Sequence, residues 1–404
     1  MATDSIETDA PPRPAMAQAW ATPAPVVYPF LGIGPAQSQY LDLLRGLAAQ
    51  MVLLQHALGL CFPDRPFEQY GLGALGVQMF FLLSGFLITQ SIVSRAQKGT
   101  YTLTEFMVSR FSRIYTPYIP AILLVALLDH FSSQSSNYPY GADYNFGTGI
   151  ANVAMLQDFP LFQILRRLHV PDQEWFVKSF GSGRQFWTVS IEWWIYVTIG
   201  IIAALSLSPR PRPWLLVALG LAAIEPAYNL VGGPGDSLTL TWILGSLACL
   251  GLRWLSTLSA GQSLRGLKVA LLWGGIAALA CLRLLFTHGR IYDAVFSLLL
   301  AGLVFVPMLH YRTARTPTLG HILRLDRLSF HSYSLYLTHG AIVVFLSLAT
   351  TAPMLGLAGL LTIMVATNLF AVAFAFVFER PHGRVRKILL GALSQRPVPV
   401  LSSP

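Results

Sequence analysis

The sequence predicts an all-α, polytopic integral membrane protein of about ten transmembrane helices with both termini in the cytoplasm. Three observations carry that prediction. Of the 404 residues 54% are hydrophobic and only 11% are charged, with mean hydropathy +0.56, against about 25% charged in an ordinary soluble domain. Apolar runs approaching the roughly 20 residues that a crossing needs recur along the chain. The Lys and Arg residues fall mostly between those runs, where topology signals belong. The same composition excludes a disordered chain, a fibrous repeat and an ordinary soluble enzyme.

The first 39 residues are rich in Ala and Pro and hold Asp4, Glu7 and Asp9 with Arg13 as their one basic residue. They lack the basic start and apolar core of a signal peptide, so residues 1–39 are expected to be a disordered cytoplasmic tail kept on the mature chain. Spans are expected near 41–62, 72–94, 111–131, 186–207, 214–231, 238–255, 269–286, 291–311, 331–350 and 355–378, separated by turn signals such as Pro63-Asp64 and Gly232-Gly233-Pro234-Gly235. They define a helical domain over 40–388, and the Pro-rich residues 389–404 are expected to form a flexible C-terminal tail. The longest non-spanning stretch, 132–185, is read as an outer loop region. Within it the weaker apolar run 150–165 is expected to be re-entrant or interfacial, the alternative being a true span. With the N-terminus inside, only Arg65, Arg166, Arg167, Lys178, Arg184, Arg283 and Arg290 of the 27 basic residues fall outside, and that asymmetry assigns both termini to the cytoplasm.

The net charge of +9 is explained by this placement and does not point to nucleic acid. Cys61, Cys249 and Cys281 form no CxxC pair and read as small apolar residues, so neither a metal site nor a disulfide framework is expected. Phosphate-loop, HExxH, GxSxG and dinucleotide-binding patterns are absent, and no repeat of 20–50 residues is visible.

What remains is a set of polar residues inside apolar helices, where they are costly and by default functional. In the first span Arg45 and His56 are eleven positions apart, so they share a face at a separation of roughly 16 Å. Arg45 is expected at the cytoplasmic mouth and His56 near the mid-bilayer, as a buried imidazole suited to taking a proton from an alcohol. The bland alternatives are a topology anchor and an interhelical hydrogen bond. Ser84-Gly85 in the second span allows close approach of a helix or of a thin ligand. Arg110 and Arg113, at i and i+3, put two forked guanidiniums on one face at the entry of the third span, where they can hold phosphates or anchor to lipid headgroups. Glu192 lies among the aromatics of Trp187–Trp194, and Tyr333, Tyr336 and His339 line the ninth span.

These patterns together resemble the acyltransferase 3 family of integral membrane acyltransferases. The residues carrying the resemblance are Leu41-Asp42 through Arg45-Gly46-Leu47-Ala48 with His56, Phe80-Phe81-Leu82-Leu83-Ser84-Gly85, Arg110-x-x-Arg113, Trp187-Thr188-x-Ser190-x-Glu192, Ser332-Tyr333-Ser334-Leu335-Tyr336-Leu337-x-His339, and Glu379-Arg380-Pro381. They occur in the family's order over about residues 40–385. Each motif alone is weak, and the six in sequence are specific. Gln78 stands where many relatives have an acid, and Gly340 where a Trp is common.

The resemblance implies ten helices, a cytoplasmic N-terminus and an acyl-CoA co-substrate, acetyl-CoA being expected. It further implies His56 as the essential catalytic residue, with Arg45, Arg110 and Arg113 near the acyl donor. Ser84 and Tyr333 are expected beside the donor as well, and Glu192 and His339 are expected to orient the acceptor or assist catalysis. Whether His56 acts as base or as transient acyl carrier stays open. The expected acceptor is a hydroxyl of a carbohydrate, whether surface polysaccharide, lipid-linked or signalling oligosaccharide. A small molecule such as a macrolide is the alternative acceptor, and a transporter or flippase for a glycolipid or sugar is the alternative class. The chain is expected to act as a stand-alone member in a bacterial inner membrane, with a separate extracytoplasmic transferase as a possible partner.

Overall fold

The computed structural model describes residues 34–62, 64, 71–160, 177–208, 212–232, 235–258, 266–311, 325–349 and 356–394. Among them it is all-helical, with no strand. The helices are α1 Pro35–Cys61, α2 Leu72–Gln97, α3 Leu103–Ser132, α4 Phe146–Val153, α5 Phe186–Leu207, α6 Trp214–Ala222, α7 Ile224–Leu230, α8 Leu238–Leu258, α9 Gly266–Phe286, α10 Ala294–Tyr311, α11 Ser332–Ala349, α12 Gly356–Phe374 and α13 His382–Ser394. A π-turn, Ala375–Glu379, joins α12 towards α13. Among the described residues each of the ten expected spans is helical over most of its length. Seven helices among the described residues are long and apolar enough on their own to cross a bilayer, which makes the chain a multi-pass membrane protein.

Three boundaries differ from the expectation. α1 starts at Pro35, inside the stretch read as a tail. Pro35 presets the helical φ where no N–H is needed, and Gln37 folds back to accept the Gly34 N–H (3.0 Å) while donating to Met308 O (2.8 Å). α13 runs on to Ser394, past the expected boundary at 388, anchored by an Arg386–Glu105 contact of 2.6 Å. The fifth apolar run breaks after Ala222. The ring of Pro226 meets the carbonyl four residues back, which is that of Ala222, and removes its helical hydrogen bond, so the run divides there into two short helices. Residues 1–33 and 395–404 lie outside the described residues.

α1, α2 and α8 form the centre. Gly85 and Gly245 let α2 and α8 touch backbone to backbone: a Cβ at Gly85 would stand 1.9 Å from Trp242 O, and one at Gly245 2.1 Å from Leu82 O. Where lipid is as apolar as the side chains, such close contact drives association in place of the hydrophobic effect. Gln55 caps α2 from the neighbouring helix, accepting the Gly73 N–H at 2.6 Å. The ends that the charge count places in the cytoplasm meet one another through Arg95–Glu105 (3.4 Å), Arg386–Glu105 and Arg253–Gln97 (2.6 Å).

The described part of the outer loop region turns back into the bundle. Asn145 caps α4 (2.9 Å to Thr148 N), and α4, eight residues or about 12 Å long, is too short to cross. Its polar residue Asn152 is buried while Phe146 and Ile150 face outward. The carbonyls of Asn152 and Val153 accept from Tyr118 and Tyr115, half-way along α3. Met155, at φ 58°, offers its carbonyl to Ser190 and Trp194 of α5, each at 2.8 Å. Protein side chains thus satisfy the non-helical backbone that follows α4, and residues 146–159 pack against the middle of α3 and the first turns of α5. Residues 161–165 of the expected segment lie outside the described residues.

Candidate functional site

Between α1, α2, α3, α5 and α11 lies an open cleft. Its apolar wall comes from α2, including Phe80, Phe81 and Leu87. Its polar groups are Arg45, Arg110, Arg113, Ser84, Glu192 and Tyr333, with Thr188, Tyr196 and Tyr336. Six of the eight residues singled out in the sequence thus share one cavity.

Arg45, on the first half of α1, ion-pairs with Asp42 one turn back (3.6 Å). Arg113 reaches the buried Glu379 at 3.4 Å. Arg110 differs: among the described residues no carboxylate pairs with it. Its Nη2 donates to Ser109 Oγ (3.1 Å), its guanidinium lies 5.9 Å from the Phe106 and Tyr196 ring centres, and its Nε is buried without a partner. A buried donor left unmade costs about 1–3 kcal/mol, so this end of the cleft favours an anionic ligand. Tyr333 presents a second buried, unpartnered group, its hydroxyl.

Ser84 and Gly85 have different neighbours. Gly85 makes the helix contact, and Ser84 enters a chain of hydrogen bonds along the cleft. Trp242 Nε1 donates to Ser84 Oγ (3.1 Å), Ser84 Oγ and Tyr196 Oη are 2.8 Å apart, and Tyr196 donates to Glu192 Oε1 (2.5 Å). Since Tyr196 spends its proton on Glu192, Ser84 must donate to Tyr196. Every donor along the chain therefore points toward the Glu192 carboxylate, which is thereby fixed in place.

The two histidines sit behind Tyr336, whose ring centre is 5.6 Å from Phe80 and 5.9 Å from His339. The Tyr336 hydroxyl is held by Thr188 Oγ1 and by Gln185 O. His339 is 1% exposed. Its Nδ1 faces Tyr336 O (2.8 Å) and Leu335 O (3.2 Å), two acceptors, so the hydrogen-bond geometry assigns the proton to Nδ1 and leaves a lone pair on Nε2. That Nε2 is buried with no partner. The His56 ring stacks beside it, centre to centre 5.2 Å and tilted 33°. His56 is not the buried residue expected: it is exposed, because it lies on the last turns of α1, off the buried face made by Leu53, Ala57 and Cys61.

Four residues of this arrangement were not singled out as site residues. Tyr196 was detectable as the i+4 neighbour of Glu192 on a helix, and Glu379 belonged to a motif without an assigned role. Thr188 likewise belonged to a motif without an assigned role, and Trp242 carried no signal separable from ordinary span composition. The two departures from the family pattern also find structural explanations. Gln78 is fully buried and donates to Ile291 O (3.0 Å) and Ser297 Oγ (3.1 Å), tying α2 to α10. A Cβ at Gly340 would lie 2.5 Å from Gln185 Oε1, so the 182–185 turn packs where a side chain would stand.

A multi-pass helical membrane protein with cationic and histidine groups around one cleft matches a known class of transferase. The acyltransferase 3 family, described as an acyltransferase domain, matches residues 38–380, and the chain belongs to it. Among similar proteins, "Protein 2 in picA locus" of Rhizobium radiobacter is 35% identical over 92 residues, 23% of this chain and 46% of that protein. An uncharacterized protein of Haemophilus influenzae is 36% identical over 52 residues, 13% of this chain and 21% of that protein. The matched stretches thus span less than half of either relative. No solved structure matches the chain.

Proposed function

We propose that this membrane acyltransferase moves an acyl group, acetyl in the simplest case, from cytoplasmic acyl-CoA to a hydroxyl of a carbohydrate acceptor. The observation that carries the reading is a set of three buried polar atoms without partners, Arg110 Nε, Tyr333 Oη and His339 Nε2, placed on and just behind the wall of one cleft. An anion, a polar linker and a hydroxyl are the ligands that such atoms await, and acyl-CoA with an alcohol supplies all three.

Arg110, Arg113 and Arg45 hold the nucleotide phosphates. The pantetheine arm runs along the apolar face of α2 past Ser84 and Tyr333, a drop comparable to the roughly 16 Å between Arg45 and His56. Near the histidines the acceptor oxygen attacks the thioester carbonyl. The new C–O bond forms, the C–S bond breaks, His56 takes the hydroxyl proton, and CoA leaves as thiolate and is then protonated. His339, with its lone pair set beside His56, accepts a hydrogen bond that orients the acceptor or His56 itself. Glu192 is held where it can position the acyl donor.

In this reading the donor side lies in the cytoplasm, a sidedness that the distribution of Lys and Arg supports, and the carbohydrate arrives at the opposite face. His56→Ala is expected to abolish acetyl transfer from acetyl-CoA while leaving the detergent-solubilised protein monodisperse with unchanged thermal stability. Product at the wild-type level in that variant would sink the mechanism.

A further inference from the structure

Glu379 takes no part in the chemistry above, yet it is 5% exposed and touches both sides of the cleft's cationic end. One carboxylate oxygen lies 3.4 Å from Arg113 Nη2. The other accepts from the backbone N–H (3.2 Å) and the hydroxyl (2.7 Å) of Ser334, in the first turn of α11. The segment that carries it is the π-turn, in which Arg380 N–H donates to Ala375 O five residues back. Pro381 has no N–H to continue the ordinary ladder, and the wider turn aims Glu379 inward. Such single π-turns are rare inside helices and gather at functional sites. A buried carboxylate is tolerated only when paired and hydrogen-bonded, and here both oxygens are engaged.

We propose that Glu379 is a positioning residue of the acyl-donor site: it holds the Arg113 guanidinium at the cleft and ties it to the start of the helix that bears Tyr333, Tyr336 and His339. This inference rests on the acyl-CoA reading. A residue that merely caps α11 would affect every acyl donor alike. One that positions Arg113 affects only donors that carry the phosphates Arg113 binds.

The test uses the full-length chain in lipid nanodiscs with two acyl donors, acetyl-CoA and S-acetylpantetheine, which has the same thioester and no nucleotide. Glu379→Gln keeps the shape and an acceptor for Ser334 but removes the charge facing Arg113. Its KM for acetyl-CoA is expected to rise about tenfold, the loss of one charge-assisted contact, while kcat and the KM for S-acetylpantetheine stay within about twofold. Arg113→Gln should give the same donor-selective rise, and the double variant should be no worse than Arg113→Gln alone, because both changes break one contact. An equal rise with both donors, no rise, or additive effects in the double variant would overturn the proposal. A wild-type chain that turns over neither donor would overturn the acyl-CoA reading and this inference with it, an outcome distinct from an active wild type that Glu379→Gln matches.

Discussion

Tyr196 gives its proton to Glu192 and receives one from Ser84, so deleting that single hydroxyl strands two partners at once. Tyr196→Phe is expected to lower kcat/KM by about tenfold to a hundredfold, the effect of about 1.4 to 3 kcal/mol, and to lower the thermal midpoint as well, because both partners lose a hydrogen bond. An unaltered kcat/KM would reduce the hydrogen-bonded chain to a packing device. At this scale the sequence was informative about which residues are polar inside a span and much less about their partners. Arg45, Arg110 and Arg113 were legible because a guanidinium in an apolar run is rare. The Trp242 donor was not, because a tryptophan near a span end is ordinary and the contact to Ser84 joins residues 158 positions apart. His56 shows the same limit: its spacing from Arg45 was readable, and its exposure depended on where neighbouring helices stop.

Among elements, the α2–α8 contact is the least forgiving. Gly85→Ala would push a methyl to within 1.9 Å of a backbone carbonyl that cannot swing away, so the helices must part, at a cost of about 1–3 kcal/mol or more. A lowered thermal midpoint in detergent, with Trp242 fluorescence altered, is the expected result, and an unchanged midpoint would refute the close packing. The α9–α10 hairpin carries a pH dependence. Arg283 donates to both oxygens of Asp293 (2.9 and 2.7 Å), and the Phe296 N–H adds a third bond at 2.8 Å. Chiefly through Arg283, the Asp293 carboxyl is held below its ordinary value. A depressed carboxyl contributes stability above its unfolded value of about 3.9 that is lost as pH falls through the folded value. Asp293→Asn should therefore be less stable than wild type at pH 7, with the gap closing as the pH falls below the unfolded value of about 3.9 and through the lower folded one. Helix positions were legible here because apolar runs of span length have few other uses. The break after Ala222 was signalled by Pro226 but hidden by the continuous hydropathy around it, and the π-turn depends on hydrogen-bond register, which composition does not record.

For the whole molecule, sidedness is the property on which the proposed direction of transfer depends. A protease-sensitive tag at either terminus is expected to be cut in inside-out vesicles and protected in right-side-out vesicles. The reverse pattern would place the guanidinium end of the cleft outside the cell and remove its access to acyl-CoA. The segment 146–159 bears on how such a chain is made. Its carbonyls at Asn152 and Val153 are satisfied by α3, already synthesised, but the Met155 carbonyl is satisfied only by Ser190 and Trp194 of α5. During translation α5 emerges later, so the turn has no complete set of partners when it first leaves the ribosome. The insertion machinery must therefore shelter or defer it until the fourth long helix has entered the bilayer.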